Sequence, residues 1–336
     1  DILIARLAPP EPQDDDIVIL ALSESTLESL VCRSPIDRAF LAGLVGRLEA
    51  KGVRAIGLDI LIDAPTVPEA DTRLRESLLR AQVPVVLITA HEATELNPNQ
   101  RTYLDRFLAG IEHGYSNLAK DRLDATVRWH EPRAGPDAVS FPARMAELLG
   151  APVADEPFEI AWHGSPDPAT GPFRVYPAEA VDLLPAEWLA GKIGLIGVVL
   201  SDTDRHRTPL AVLGRSTPGV EIQAHVLSQL LNGRQHPRVG PGLELALAFA
   251  FAGLGGLVGS SPIPLVLVAL IAPLGPLAYG AVVLLAATQG GPLLPLVPIG
   301  LAWLGGVAAM TGRSLWRERQ DRQTLMRLFS RHVSAP

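Results

Sequence analysis

The sequence predicts an α/β domain with a mostly parallel sheet flanked by helices, followed by an all-α bundle of three transmembrane helices. In residues 1–238, short aliphatic runs alternate with amphipathic helical segments, an order typical of a parallel sheet covered by helices. Residues 239–312 contain a single charged residue, Glu244, and residues 313–336 are basic. The chain is therefore divided into a soluble domain, a membrane bundle and a juxtamembrane helix.

Composition limits the classes of protein to which the chain could belong. A net charge of −7 argues against a nucleic-acid-binding protein, which needs a basic face. Cys32 is the only cysteine, which excludes an internal disulfide framework and a cysteine-rich metal site. Hydrophobic residues make up 48% of the chain, which is too many for a disordered protein.

The first part of the soluble domain has the order β-α-β-α-β. Its strands are short aliphatic runs with β-branched residues, at residues 17–22, 53–60 and 84–89. Residues 36–51 have apolar side chains at helical spacing and are followed by Gly52, a helix stop. Residues 71–81 form a shorter helix with leucines on one side.

The second part of the soluble domain is less regular. Two strands around a polar turn are predicted at residues 114–118 and 126–130, and a helix at residues 141–149. Two further aliphatic runs predict strands, at residues 159–163 and 193–200. Residues 219–232 place apolar side chains at helical spacing and predict the last helix of the domain.

Polar breaks divide the apolar block into three segments near the ~20 residues that a membrane span needs. The predicted spans lie at about residues 242–259, 263–287 and 292–312. Pro273 and Pro276 predict a kink in the second span. Pairs of small residues spaced by four predict close helix contacts in lipid, and they are Gly255 with Gly259 and Gly305 with Ala309.

Arginines determine the predicted topology. Four of them directly follow the third span, at positions 313, 317, 319 and 322, and positive flanks stay in the cytoplasm. Three spans then place residues 1–238 in the periplasm or outside the cell, with the chain crossing a bacterial inner (plasma) membrane several times. Residues 313–333 should continue the third span as a helix. Their broken apolar seam favours a homodimer contact, and a helix lying on anionic lipid is the alternative.

Several segments, in order, resemble the extracellular sensory domain called CHASE, second type. They are residues 17–22 with Ser25, 52–62, 114–117, 126–128, 192–197, 202–209 and 218–225. The resemblance implies a sensor followed by three spans, with a small ligand or a periplasmic protein as the stimulus. It also implies a membrane anchor before Asp1. The family usually has Asp at the position of Ser23, so a ligand site that includes this Asp would be altered here.

The tail carries a second resemblance. Residues 328–334 resemble the short segment that precedes the catalytic domain of class III adenylate/guanylate cyclases. This implies that the parent protein continues into a cyclase that the chain lacks. A histidine kinase or another output domain would change the enzyme and leave the sensor role unchanged.

A ligand site is expected at the carboxyl ends of the strands, where open α/β sheets bind their ligands. The polar cluster 201–208 follows the strand predicted at residues 193–200, and other polar residues end neighbouring strands. The predicted site consists of Asp59, Asn117, Asp202, Asp204, Arg205 and His225. Arg205 could clamp a carboxylate or phosphate; a salt bridge between Asp204 and Arg205 is the alternative.

No catalytic residue and no resident cofactor is predicted. The sequence has no G-x-S-x-G nucleophile elbow and no phosphate-binding loop. Asp202 and Asp204 could share a hard divalent cation such as Ca²⁺, which prefers oxygen ligands. A membrane-anchored hydrolase, with Ser201 as nucleophile and His206 or His225 as base, is the alternative function.

Overall fold

Six parallel strands form the main sheet of the soluble part of the chain. The computed structural model describes residues 10–30, 32–91, 94–135, 138–167, 170–210, 216–234, 239–288 and 294–333. The chain divides into two units, Asp1–Gln235 and His236–Pro336. Each unit has its own pattern of burial.

The strands of the first unit are, in chain order, β1 (Ile17–Leu22), β2 (Ala55–Asp59), β3 (Val85–Thr89), β4 (Glu112–Tyr115), β5 (Ala119–Lys120), β6 (Val127–His130), β7 (Arg133–Gly135), β8 (Ala138–Val139), β9 (Phe158–Glu159), β10 (Arg174–Pro177), β11 (Ile193–Val198), β12 (Arg205–His206) and β13 (Thr217–Pro218). The main sheet has the order β10-β1-β11-β2-β3-β4. Every pair within it is parallel, which confirms the predicted fold class.

The helices of the first unit are α1 (Glu24–Ser29), α2 (Arg38–Ala50), α3 (Pro68–Arg80), α4 (Pro98–Leu108), α5 (Phe141–Leu148) and α6 (Gly219–Asn232). Two short 3₁₀ helices lie at Ala178–Leu183 and Ala186–Trp188. These helices cover both faces of the sheet, because its central strands β1, β2, β3 and β11 are apolar on both sides.

Strand β1 shows how one short run serves two cores. Val18, Leu20 and Leu22 belong to the core that α2, α3 and α4 cover. Ile17 and Ile19 belong to the core under α5 and α6. Since successive side chains of a strand point to opposite faces, a continuous aliphatic run is what a doubly covered strand requires.

The irregular middle of the domain differs from the prediction. The strand predicted at residues 114–118 is β4, which ends at Tyr115, and the hairpin partner of β6 is the two-residue strand β5. The strand predicted at residues 159–163 is only β9. Beyond it the side-chain amide of Gln229 takes the place of a strand, donating to the Glu159 carbonyl and accepting from Ala161 N.

The sequence prediction missed α4 and β10. Helix α4 begins with a capping box at Asn97 and has a mostly polar first half, so its apolar face is short. Strand β10 lies at the edge of the sheet and alternates partly buried with exposed residues. Such an edge strand lacks the aliphatic run that identifies a central strand.

The second unit contains α7 (Pro241–Ser260), α8 (Leu265–Ile271), α9 (Leu274–Thr288) and α10 (Leu296–Val333). Three helical segments in it are long and apolar enough to cross a membrane, and they are Pro241–Ser260, Leu265–Ala286 and Leu296–Arg327. Helix α10 continues from the third span into the basic tail without a break, as the sequence predicts.

Proline interrupts the second span, as predicted, and a tryptophan side chain supplies the hydrogen bond that the proline removes. Pro276 has no N–H, so the carbonyl of Ala272, four residues earlier, loses its helical donor. Trp303 Nε1 of α10 donates to that carbonyl at 2.8 Å. Gly275 leaves room for the indole, because a Cβ there would collide with the ring. The break between α8 and α9 is therefore satisfied within the bundle.

Glycines bring α7 and α10 into backbone contact. A Cβ at Gly255 would collide with the carbonyl of Trp303, and one at Gly259 with that of Val307. On α10 the predicted pair, Gly305 with Ala309, is wrong by one residue, because nothing lies within 4 Å of a Cβ at Gly305. Gly306 makes the contact instead, against the carbonyl of Ala252. Small residues thus form the inside of this pair, as expected of helices packed in lipid.

Candidate ligand-binding site

A cavity of about 460 Å³ lies at the carboxyl ends of the central strands, beside the first turn of α6. Of the six predicted residues, Asp59, Asn117 and Asp204 line it. The other lining residues are Ile60, Leu61, Ile88, Ser116, Leu118, Lys120, Val198, Thr203, His206, Gly219 and Gln223. This volume is within the range of small-molecule sites.

Asp59, the last residue of β2, is partly buried in this cavity. Within the part of the chain that the structure describes, its carboxylate has no hydrogen-bond or ion-pair partner. Burial, and secondarily the charge of Asp204, raise the pKa of Asp59 to about 7. Both causes disfavour the ionised form of Asp59. Binding of a group that compensates the charge of this carboxylate would therefore be favourable there.

Asp204 has a strained backbone and a compensated side chain. Its φ is +52°, a region that Asp tolerates better than most residues. Its Oδ1 lies 3.0 Å from Nε2 of His206. Its carboxylate also packs against Gly219, where a Cβ would collide with it. Gly219 begins α6, so the positive end of the helix favours the charge of Asp204.

Two amides complete the polar wall. Asn117 contacts Thr94 and accepts from the backbone N of His91 at 3.3 Å. Gln223 donates through Nε2 to the carbonyl of Ser116 at 3.0 Å. Its Oε1 has no partner among the described residues, although the side chain is only 2% exposed. Gln223 therefore lines this cavity and has a buried acceptor atom without a partner among the described residues.

Arg205 does not line the cavity, contrary to the prediction. Its Nε donates to Ser216 Oγ at 2.9 Å, Nη1 donates to the carbonyl of Leu200 at 3.0 Å, and Nη2 donates to the carbonyl of Ser216. The alternative role, a salt bridge between Arg205 and Asp204, is not observed either, because Asp204 pairs with His206. A guanidinium that closes a loop in this way has few donors left for a ligand.

Asp202 and Asp204 are not brought together. Asp202 lines a separate cavity of about 210 Å³ with Glu24 and Arg33, whereas Asp204 lines the cavity at Asp59. No group of three or more His, Cys, Asp or Glu side chains that could hold a metal ion is found among the described residues. The geometry thus gives the suggested shared cation no common cavity.

His225 lies in the core instead of the cavity. It is fully buried between the rings of Trp162 and Phe173, and its Nδ1 accepts from the backbone N of His163 at 3.0 Å. Burial, and then the charges of His163 and Arg234, hold the pKa of His225 well below its usual value. The sequence predicted that His225 could face the strand ends, whereas its ring packs against these aromatic side chains in the interior.

Ser23, where the family usually has Asp, caps a helix. Its Oγ accepts from the backbone N of Thr26 in a capping box at the start of α1. Ser and Asp are both good N-cap residues. The cap therefore explains how Ser can replace Asp at this position without loss of the local structure.

Gln223, His206 and Lys120 also line the cavity, although none of them was predicted from the sequence as a ligand-binding residue. Gln223 interrupts the apolar face of α6 between Val220 and Ala224, and this polar break was the available signal. His206 was identified only as a possible base. Lys120 lies in the short strand β5, whose existence the periodicity does not reveal.

A larger cavity, of about 800 Å³, lies beside the edge strand β4. Of the three described arginines that line it, two pair with carboxylates: Arg133 with Glu147 and Asp155, and Arg144 with Glu112 and Glu147. The third, Arg101, donates to the carbonyl of His91 at 3.5 Å. The one carboxylate among its described lining residues, Glu112, is paired with Arg144, whereas the carboxylate of Asp59 has no such partner in its own cavity.

Comparison with known proteins identifies the family. The model of the CHASE2 domain matches residues 1–258, which include the soluble unit and most of α7. No curated protein and no solved structure matches the chain significantly. The sensory family and the three apolar helices together indicate a membrane sensory receptor. Because the match covers most of the sequence, the chain belongs to the CHASE2 domain family.

Proposed function

We propose that the chain is the ligand-sensing and transmembrane signalling region of a receptor that regulates a cytoplasmic class III adenylate cyclase. The observation that carries the sensing role is the cavity at the strand ends. There Asp59 and Gln223 Oε1 lack partners among the described residues. Unpaired polar groups in a largely desolvated place are costly, and a bound ligand would satisfy them.

Helix α10 supports the signalling role. Its 38 residues extend roughly 57 Å at 1.5 Å per residue, whereas the hydrocarbon core of a bilayer is about 30 Å thick. The helix is therefore long enough to cross the membrane and project well beyond it. The arginines that follow the apolar part, Arg313, Arg317, Arg319 and Arg322, favour a cytoplasmic tail.

In this proposal the receptor is a homodimer that exchanges between two arrangements. A ligand shifts such an equilibrium only by binding one arrangement more tightly than the other. The tails then present an output domain in active or inactive geometry. A histidine kinase in place of the cyclase would use the same sensor. A hydrolase has less support, because Ser201 donates its hydroxyl to Glu24 and lines the cavity of Asp202 instead.

The topology can be tested with the native thiol, because Cys32 is free and exposed. A membrane-impermeant maleimide should label Cys32 in intact cells. In the Cys32→Ser, Ser314→Cys double variant, labelling of the tail should require permeabilisation. Labelling of the tail in intact cells would contradict the proposed orientation.

The output can be tested by joining the chain to a class III cyclase catalytic domain in cells without their own cyclase. Inserting two residues after Arg322 rotates everything beyond it by about 200°, whereas seven residues rotate it by about 20°. Cyclic AMP production should change several-fold with the first insertion and little with the second. Equal activity of both insertion variants would show that α10 does not set the geometry of the output.

A further inference from the structure

The polar groups left open in the cavity at Asp59 are acceptors. The Asp59 carboxylate accepts hydrogen bonds when ionised, and it has no partner among the described residues. Gln223 Oε1 is a second acceptor, and its orientation is fixed because Nε2 donates to the Ser116 carbonyl. A ligand that satisfies both groups must bring N–H or O–H donors.

The charge of the cavity favours a cation over an anion. Asp59 and Asp204 both line it, and Lys120, exposed at the rim, is the one lysine or arginine among the described lining residues. The start of α6 could attract an anion, but the carboxylate of Asp204 already packs there against Gly219. Asp204 is compensated by that helix end and by His206, which leaves Asp59 as the uncompensated acid.

The remaining wall is aliphatic. Its side chains come from the ends of several strands and the loops after them, and they are Ile60, Leu61, Ile88, Leu118 and Val198. An apolar surface of this kind contributes affinity through burial, while the few polar groups fix the orientation of the ligand. The ligand should therefore combine a donor head with a short apolar body.

We propose that this cavity binds a small organic cation whose protonated amine contacts Asp59 and Gln223 Oε1 and whose apolar body lies against the aliphatic wall. The inference rests on the proposed sensor function and specifies its ligand class. An ammonium group supplies three donors and no acceptor, which matches two open acceptors. Its hydrogen bond to a carboxylate is charge-assisted and correspondingly strong.

A metal ion fits the same groups poorly. Hard cations such as Ca²⁺ take six to eight oxygen ligands, whereas no cluster of three His, Cys, Asp or Glu side chains is found in the described ranges. An ammonium needs fewer contacts, because each N–H is satisfied by one acceptor. The sparse polar wall therefore selects an organic cation.

The test is isothermal titration calorimetry on the full chain in lipid nanodiscs with three probes of one shape. They are phenethylamine, the neutral 2-phenylethanol and the anionic 3-phenylpropionate. We expect binding of the amine alone. Asp59→Asn should weaken it at least tenfold and Gln223→Leu several-fold, whereas Lys120→Met should strengthen it two- to five-fold. Asp202→Asn is the matched control, because that residue lines another cavity, and it should bind normally.

Proton release gives a second readout. At pH 7 the amine should displace a proton from Asp59, so the binding heat should depend on the ionisation enthalpy of the buffer. Asp59→Asn should abolish that dependence. Equal or tighter binding of the alcohol or the carboxylate would overturn the cation assignment, as would weaker binding in Lys120→Met. Absence of binding by all probes would also overturn it. The cyclase fusion would still decide the receptor function independently.

Discussion

The soluble unit and the membrane unit use apolar residues in opposite ways. In the soluble unit the large aliphatic and aromatic side chains are inside, as Phe141 and Leu20 are, both with no exposed surface. In the membrane unit many large side chains point outward, as Phe249 and Leu257 do, and glycines make the close contacts between α7 and α10. The solvent decides this difference: water expels apolar surface, whereas lipid does not, so close packing remains as the driving force.

The comparison extends to ionisable groups. The soluble unit buries His130 and His225 and keeps Asp59 partly buried. Among residues 239–312 the membrane unit has a single acidic or basic residue, Glu244. Changes in pH should therefore act on the sensor and leave the bundle largely unaffected.

The largest effect is expected from removing a buried ring. Phe141→Ala leaves a cavity between α5 and the sheet and should cost about 4 kcal/mol. Phe249→Ala, which removes the same ring from the outward face of α7, should cost under about 1 kcal/mol. Thermal unfolding of the full chain in nanodiscs, followed by circular dichroism, measures both variants. Similar losses of stability in the two variants would contradict the proposed difference between the soluble unit and the membrane unit.

A glycine pair tests the inside of the bundle. Gly306→Leu should separate α7 from α10 and cost about 2 kcal/mol, because its Cβ would collide with the Ala252 carbonyl. Gly253→Leu is the control, since nothing lies within 4 Å of a Cβ there. Thermal unfolding in nanodiscs should separate the two variants. A neutral Gly306→Leu would mean that the helices do not pack through this residue.

The third effect depends on pH. Burial lowers the pKa of His130 from about 6.5 to about 3, and its Nε2 lies 2.7 Å from Ser140 Oγ. Below pH 6.5 His130 becomes protonated in the unfolded chain but stays neutral in the folded chain. Stability is therefore full above that pH and falls as the solution becomes acidic, by up to about 1.4 kcal/mol per pH unit.

When the pH falls from 7.5 to 5, the melting temperature of His130→Asn should therefore fall less than that of the unmodified chain. His113→Asn changes an exposed histidine of β4 and should retain the original pH response. Identical pH profiles for all three proteins would show that His130 is protonated in the folded state.

The smallest effect concerns the kink of the second span. Trp303→Phe removes the donor to the Ala272 carbonyl but keeps an aromatic ring near Gly275. Hydrogen bonds between membrane helices contribute about 0.6 kcal/mol on average, so the melting temperature should fall only slightly. A larger loss would mean that the indole holds the break between α8 and α9 together.

The sequence predicts the central sheet, the three spans and the continuous last helix because each depends on a local pattern. Continuous aliphatic runs identify β1, β2, β3 and β11, and length identifies the spans. The edge strand β10 and the replacement of a strand by Gln229 depend on contacts between distant segments. No periodicity records such contacts.

Only part of the candidate site could be predicted, because its position depends on strand ends whereas its side-chain contacts join distant segments. Asp59, Asn117 and Asp204 follow strand ends, and the parallel sheet brings them to one edge. The sequence pattern did not predict the direction in which the other three side chains point. Arg205 turns to Ser216, His225 turns into the core, and Asp202 lines a different cavity.

The glycine contact between α7 and α10 has a mechanical consequence. Helix α7 follows the last helix of the sensor after a short linker, and α10 leads into the tail. Because these two helices touch backbone to backbone, they cannot slide or rotate independently. Under the proposed signalling role we expect the first and last spans to move together, and the hydrogen-bonded kink lies in the second span, outside this pair.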